Sequence, residues 1–471
     1  MPCTRGNSYI IKSGDTLYMI AQNQLGDGNR WREIMKPDGT PFTDADAGSL
    51  QVGQEICLPS DSPPVGGGNG GSATGYKLVG YFENWAQYRP EGKGKFFPEQ
   101  IDPSLLTHIN FAFGIFGFVT WSVDQTKTRG GESRYTGDYT IQPVEWNDQT
   151  TLYPAIQKLK EKNPNLKTLL SIGGWSFNSG DDKPDSGNPH PFGPYTYKLF
   201  SQMASSSAGR QQFISSAIEY AHKYGFDGID IDWEYPGDRN RGGTDNDFEN
   251  FLALLNEFRS AINNDAGGQK LLLTIASPAI KKGEAKTPQQ FFDWLAQCAE
   301  YLDWMNVMSY DYHGVFPDDK VTGVNAPLLQ DSTPGGNFSL KDTVEAYLVA
   351  QIPKDKILLG MPTYGRTFKV TSPLTDTDNG PGKPYSGAGS PGQGTRTPGF
   401  LAYYEILEGL SSGDWKRGWD QATLTPYAYN SKTGEWVSYD DAESFAYKVS
   451  YLIEQGLAGA MVWAIDDDQF F

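Results

Sequence analysis

The chain contains no run of about 18 apolar residues, the length that spans a bilayer, so no transmembrane helix is expected. Cysteine is scarce. Cys3, Cys57 and Cys298 are too few for a disulfide framework or a cysteine-rich zinc site. The histidines, His108, His190, His222 and His313, are scattered without metal-ligand spacing, so neither a metal nor a cofactor is expected. Positive charge is in deficit, with 39 Lys and Arg against 57 Asp and Glu and a formal net charge of −18. That balance argues against a nucleic-acid or membrane partner, because phosphate binding needs a basic face. Met1–Gly6 lacks the apolar core of a signal peptide, so the sequence reads either as cytosolic or as a mature form carrying a start Met.

What the sequence has in quantity is aromatic side chains, 13% of residues, including 12 Trp and 26 Tyr. Rings in an acidic protein suit a neutral ligand with flat apolar faces, which describes carbohydrate, although core packing accounts for many of them. A Pro/Gly/Ser-rich stretch over residues 60–76 reads as a flexible linker. Gly66, Gly68 and Gly71 within it fit a dinucleotide-binding spacing, but no strand precedes them and no helix follows. The chain therefore divides into a module over 1–59, a linker, and a large domain over 77–471.

In the small module Tyr9–Lys12 reads as a strand, Ser13–Thr16 as a turn and helix cap, and Leu17, Ile20 and Ala21 as one helical face. A second short helix fits Arg30–Met35, and Gly53–Pro59 returns as a strand, giving βααβ. The large domain carries eight strand-like runs: Leu78–Phe82, His108–Phe113, Thr168–Ile172, Gly228–Asp232, Leu271–Ser277, Trp304–Met308, Ile357–Met361 and Ala458–Trp463. Helical patterns separate them. One is Phe248–Ile262, with Phe248, Phe251, Leu252, Leu255, Phe258 and Ile262 at helical spacing. Eight alternating units predict an α/β fold of the (β/α)8 TIM-barrel type. The domain is longer than a plain barrel, so insertions are expected at 119–148, at 176–196 and, as a small α+β subdomain, at about 367–440.

The strongest chemical signal is Phe226-Asp227-Gly228-Ile229-Asp230-Ile231-Asp232-Trp233-Glu234-Tyr235-Pro236. Alternate side chains of a strand share a face, so Asp230, Asp232 and Glu234 point into the barrel while Ile229, Ile231 and Trp233 face the helices. Asp227 has the other parity and reads as structural. Crowded acids raise the pKa of at least one of them, and Glu234 lies at the carboxyl end of its strand, where barrel enzymes keep their sites. A carboxyl kept protonated can act as a general acid on a glycosidic oxygen. An exposed acidic edge and a metal-binding cluster are the alternatives, and the flanking aliphatics speak against exposure.

The pattern DxxDxDxE, carried by Asp227, Asp230, Asp232 and Glu234, resembles glycoside hydrolase family 18, the chitinases. Ser171-Ile172-Gly173-Gly174-Trp175 resembles that family's SxGG motif. Gly80–Trp85, Met308–Asp311, Gly360–Arg366 and Met461–Trp463 fall at the matching strand ends. The small module resembles a LysM domain through Lys12–Leu17, Trp31, Ile34, Leu50, Gly53-Gln54 and Leu58-Pro59. Tyr235-Pro236-Gly237 and Arg241-Gly242-Gly243, together with the LysM companion, resemble the fungal killer-toxin-like group.

The resemblance implies a retaining, substrate-assisted chitinase with no cofactor, acting on chitin and chito-oligosaccharides. Glu234 would be the acid, Asp232 would orient the N-acetyl group, and Asp230 would share a proton with Asp232. Tyr310 would hold the N-acetyl oxygen. Asp311 and Arg366 would contact the sugar, Trp463 would form the floor, and Tyr81 and Trp175 would line the cleft. It also implies a Cys3–Cys57 disulfide, a monomer, and secretion, with which the sequon Asn337-Phe338-Ser339 agrees. The family usually closes its barrel with a helix after the eighth strand. Here the sequence stops at Phe471, which puts the closing seam in question. An N-acetylglucosaminidase acting on peptidoglycan or N-glycans, or a chitin-binding lectin, remains open at this point. A lectin would have lost its acid, and Glu234 is in place.

Overall fold

A computed structural model of the chain describes residues 7–12, 15–25, 28–42, 50–59, 75–120, 134–179, 196–267, 270–317, 319–330 and 338–469. It forms two compact units, Met1–Gly71 and Ser72–Phe471. The predicted linker lies almost wholly outside the described residues.

In the first unit Asn7–Ile10 pairs antiparallel with Glu55–Leu58, in the register Asn7↔Leu58 to Ile10↔Glu55. Between them run a helix at Leu17–Leu25 and a 3₁₀ helix at Gly28–Glu33. The second helix was expected as α over Arg30–Met35; in so short a segment the chain takes the tighter 3₁₀ turn. Thr16 Oγ1 accepts the Met19 N–H at 3.1 Å and caps the first helix. Ile11, Leu17, Ile20, Ala21, Ile34, Ile56 and Leu58 form the core. Cys57 is disulfide-bonded, and Cys3, its expected partner, lies outside the described residues. Cys298 is a buried free thiol.

In the second unit the barrel strands are β1 (Lys77–Glu83), β2 (His108–Phe116), β3 (Lys167–Gly173), β4 (Gly228–Asp232), β5 (Leu272–Pro278), β6 (Trp304–Met308), β7 (Ile357–Pro362) and β8 (Gly459–Trp463). Each pairs parallel with the next. The seam closes as well, with β8 parallel to β1 from Gly459↔Lys77 to Val462↔Gly80. Side chains pin this closure. Arg89, which follows β1, pairs with Glu83 at 2.6 Å and with Asp466 and Asp467 beyond β8 at 3.2 and 2.8 Å. The doubt about the seam is thus removed by the strand pairing itself. The three acids gathered there enclose a guanidinium, which accounts for their proximity without a metal.

Strand parity divides the core in two. Val79, Tyr81, Ala112, Leu169, Trp304, Leu358 and Met461 pack inside the barrel. The opposite faces pack on the helices. The helix Asp247–Asn264 buries Phe248, Phe251, Leu254, Leu255, Phe258 and Ile262, each contributing about 1.5–3 kcal/mol of apolar burial. Leu252, expected in that stripe, is only partly buried.

The third insertion is an antiparallel sheet of Tyr364–Val370, Tyr385–Ala388, Phe400–Ala402, Lys416–Asp420, Thr425–Asn430 and Glu435–Ser438, with a helix at Tyr403–Ser411. It starts at Tyr364, slightly before the expected 367, because the chain leaves β7 at Pro362 and re-enters extended structure almost at once. In the first two insertions, residues 121–133 and 180–195 lie outside the described set.

Candidate active site

The acids of β4 point into the barrel, as their parity requires. Asp230 is fully buried and accepts four hydrogen bonds. Thr274 Oγ1 and Asn306 Nδ2 donate to Oδ1 at 2.6 and 3.1 Å; Tyr81 Oη and Ser171 Oγ donate to Oδ2 at 2.8 and 2.7 Å. These donors come from four different strands, so Asp230 anchors the lumen. Burial raises its pKa while the four donors pull it down.

The four donors thus occupy both oxygens of Asp230. Asp232 keeps a buried Oδ1 that accepts from none of the neighbouring N–H or O–H donors. Its pKa is held well above the ordinary carboxyl value by burial, then by the neighbouring charges of Glu234 and Asp230.

Glu234 follows at the mouth of the strand. Burial raises its pKa, and the cations Arg241 and Lys282 pull it back. Its backbone is clamped: Arg241 Nε donates to the Glu234 carbonyl at 2.6 Å, and Asn178 Oδ1 accepts the Glu234 N–H at 3.4 Å. Arg241 also donates through Nη2 to the Trp175 carbonyl at 2.5 Å and stacks its guanidinium 3.4 Å over that indole. Trp175 is otherwise exposed. Lys282 escaped the sequence reading, and Arg241, seven residues beyond Glu234, entered it only as a subgroup marker and not as a site residue.

The two glycines at the end of β3 explain their own presence. Gly173 and Gly174 sit at φ +116 and +89, where other residues are strained. A Cβ on Gly173 would run into the Asp232 carbonyl, and one on Gly174 into the Phe113 ring. The SxGG spacing therefore lets β3 approach β4 beside the acids, and Ser171 supplies one of the donors to Asp230.

Across the lumen Asp311, itself in the left-handed region at φ +58, is held by Arg366 through two hydrogen bonds of 2.6 and 2.7 Å and by Tyr364 Oη at 2.8 Å. Arg366 thus acts on Asp311; Tyr364, unassigned from sequence, completes the clamp. Tyr310 Oη approaches only the Met461 sulfur, at 3.8 Å, so the hydroxyl stays available to a ligand. Trp463 is half-buried against Tyr81, with centroids 5.2 Å apart, and lies nearly parallel to Phe113 at 5.7 Å.

A carboxyl with a raised pKa at the mouth of the strand, a second buried acid near it, and a half-buried indole are thus gathered at the carboxyl end of the barrel. Residues 77–468 match the family model "Glycosyl hydrolases family 18". The chain belongs to glycosyl hydrolase family 18. Residues 9–59 match the LysM domain. Among family 18 relatives, mouse chitotriosidase-1 is 37% identical over 401 residues, covering 84% of this chain and 74% of that protein. A solved structure of an immunomodulatory active chitinase from Trichuris suis superposes with a TM-score of 0.68 at 32% identity, covering 84% of this chain and 93% of that one. Human YKL-39, described as a pseudo-chitinase with retained chitooligosaccharide binding, superposes at 0.65 with 34% identity over 83% and 93%. Catalysts and non-catalytic binders thus share this fold. No helix among the described residues is long and apolar enough to cross a membrane.

Proposed function

We propose that the protein is a secreted, monomeric chitinase that hydrolyses β-1,4 bonds between N-acetylglucosamine units with retention of configuration, its LysM domain holding it to chitin. The observation that carries this reading is the intact pair of Glu234, with its raised pKa, and Asp232, with its open oxygen. A pseudo-enzyme has no need to keep a buried carboxyl with a raised pKa at the mouth of the strand.

In the first step Glu234 gives its proton to the glycosidic oxygen as the C1–O bond breaks. The substrate's own acetamido carbonyl oxygen bonds to C1, forming an oxazolinium ion. Asp232 takes the acetamido N–H and stabilises the positive charge, while Tyr310 steadies the carbonyl oxygen and Asp311 the sugar. Water, deprotonated by Glu234, then attacks C1 and reopens the ring. Two inversions give retention, without a nucleophilic carboxylate. Incubation with chito-oligosaccharides in parallel with peptidoglycan tests the substrate. Release of short N-acetylglucosamine oligomers from the former alone supports the reading, and turnover of peptidoglycan alone overturns it. The fungal killer-toxin-like subgroup belongs to the same proposal. It rests on the LysM companion and on Arg241-Gly242-Gly243, whereas the relatives cited above are animal proteins.

Arg241 lowers the pKa of Glu234, so Arg241→Gln lets it rise. A general acid works only while protonated, so the alkaline limb of kcat/KM moves to higher pH. An unmoved or acid-shifted limb contradicts this assignment. For the LysM domain, deletion of residues 1–75 lowers activity on insoluble chitin and leaves short soluble oligomers nearly unaffected, because tethering raises local concentration without altering the site. Equal losses on both substrates would refute the anchor.

A further inference from the structure

We propose that Arg241 and Lys282 form a cationic collar on the leaving-sugar side of Glu234, which makes the enzyme disfavour a deacetylated, ammonium-bearing sugar as the leaving unit. The proposal rests on the chitinase reading above.

Strand order assigns the two sides of the cleft. Trp463 ends β8 and Tyr81 lies on β1. Glu234 follows β4, which stands opposite β8 in the closed ring of eight strands. A sugar chain that crosses the mouth from the β8–β1 side passes Glu234 and carries its leaving sugar towards the ends of β3, β4 and β5. Both cations stand there. Arg241 lies on the segment after β4. Its Nε donates to the Glu234 carbonyl at 2.6 Å, its Nη2 donates to the Trp175 carbonyl at 2.5 Å, and its guanidinium covers the Trp175 ring at 3.4 Å. Lys282 lies on the segment after β5, with Nζ 4.7 Å over the ring of Tyr235, the residue after Glu234. The rings beyond β3 and β4 thus each carry a cation on one face.

The surrounding charges leave this collar net positive. Asp238 acts on both cations and offsets one of them. Asp311 also acts on Lys282, but two hydrogen bonds from Arg366 already balance it. Glu234 is uncharged while it serves as the acid. One positive charge therefore remains beside the leaving sugar. It is held in place, because Arg241 is pinned by two carbonyls and Lys282 is half-buried. The chain as a whole has the opposite sign. A net charge of −18 attracts a partly deacetylated, cationic polymer from a distance. Discrimination against the ammonium must then arise locally, from like charges meeting in a partly dried cleft, where their repulsion is least screened. An acetamido group is neutral and meets no such barrier.

The test digests partly deacetylated chitin in mildly acidic buffer, where the free amine is an ammonium, and sequences the products by mass spectrometry. Each new non-reducing end was a leaving sugar, so its acetylation reads the preference directly, and every enzyme serves as its own control for rate. Wild type should show glucosamine at these ends about 5- to 10-fold less often than its share of the polymer, equivalent to about 1–1.4 kcal/mol. Lys282→Ala leaves Asp238 to balance Arg241 and should bring glucosamine to within about twofold of its share. Lys282→Arg keeps the charge and should keep the exclusion. For wild type, salt at about 1 M, which shortens the screening length to about 3 Å, should relax the exclusion as well. Glucosamine ends in proportion to their share, or an exclusion that survives Lys282→Ala or high salt, overturn the collar. If wild type cleaves neither this polymer nor the N-acetylglucosamine hexamer, the chitinase reading fails, and the collar is judged by affinity alone. Tighter binding of the glucosamine hexamer relative to the acetylated hexamer in Lys282→Ala then supports it, and an unchanged ratio refutes it.

Discussion

Glu234→Gln should slow hydrolysis of chito-oligosaccharides by at least ~10²–10⁴-fold while leaving the protein folded and able to bind them. The amide keeps the shape of the side chain and a hydrogen-bond donor but has no proton to transfer to the leaving oxygen. Stability should not suffer. Glu234 is buried beside Asp232, whose own pKa it pushes upward, so replacing it with a neutral group relieves a repulsion. Binding persists because the floor of Trp463 and the Asp311–Arg366 clamp are untouched. Steady-state rates, a melting curve and oligomer titration by tryptophan fluorescence check the three parts. A variant that retains a tenth of the wild-type rate would remove Glu234 from its role.

Asp232→Asn should also cost about 10²–10³-fold in kcat, through a different step. The amide removes the negative charge that balances the oxazolinium ion and weakens the grip on the acetamido N–H. Substrates with an activated aryl leaving group separate the two roles. Such groups depart without protonation, so they should recover much of the loss in Glu234→Gln and none of it in Asp232→Asn. Equal recovery in both variants would mean that Asp232 acts only by tuning Glu234.

The barrel was legible because its signals are local. Each of the eight strand runs is apolar, bounded, and separated by helical periodicity, and each lies within a few residues of the observed strand. The acids of β4 were legible for the same reason, since a period of two assigns Asp230, Asp232 and Glu234 to one face without reference to anything distant. What the sequence concealed depends on contacts between remote segments. The four donors that occupy Asp230 come from residues 81, 171, 274 and 306, and nothing local shows that they converge. The site role of Arg241 was hidden in another way. Its contacts are two backbone carbonyls, one ring face and the charge of Glu234, which leave no mark on its neighbours in the chain. The barrel closes through the β8–β1 ladder and the Arg89 cluster, which lie in the strand ends themselves.

The account turns on the claim that the nucleophile belongs to the substrate. Wild-type protein presented with a chito-oligosaccharide whose sugar on the glycon side of the scissile bond is deacetylated, followed by mass spectrometry of products and protein, tests it directly. Without the acetamido oxygen that bond should stay intact even where the oligomer binds, and the fully acetylated oligomer should be cleaved under the same conditions. Efficient cleavage at the deacetylated unit, or a sugar found covalently attached to a protein carboxylate, would contradict it.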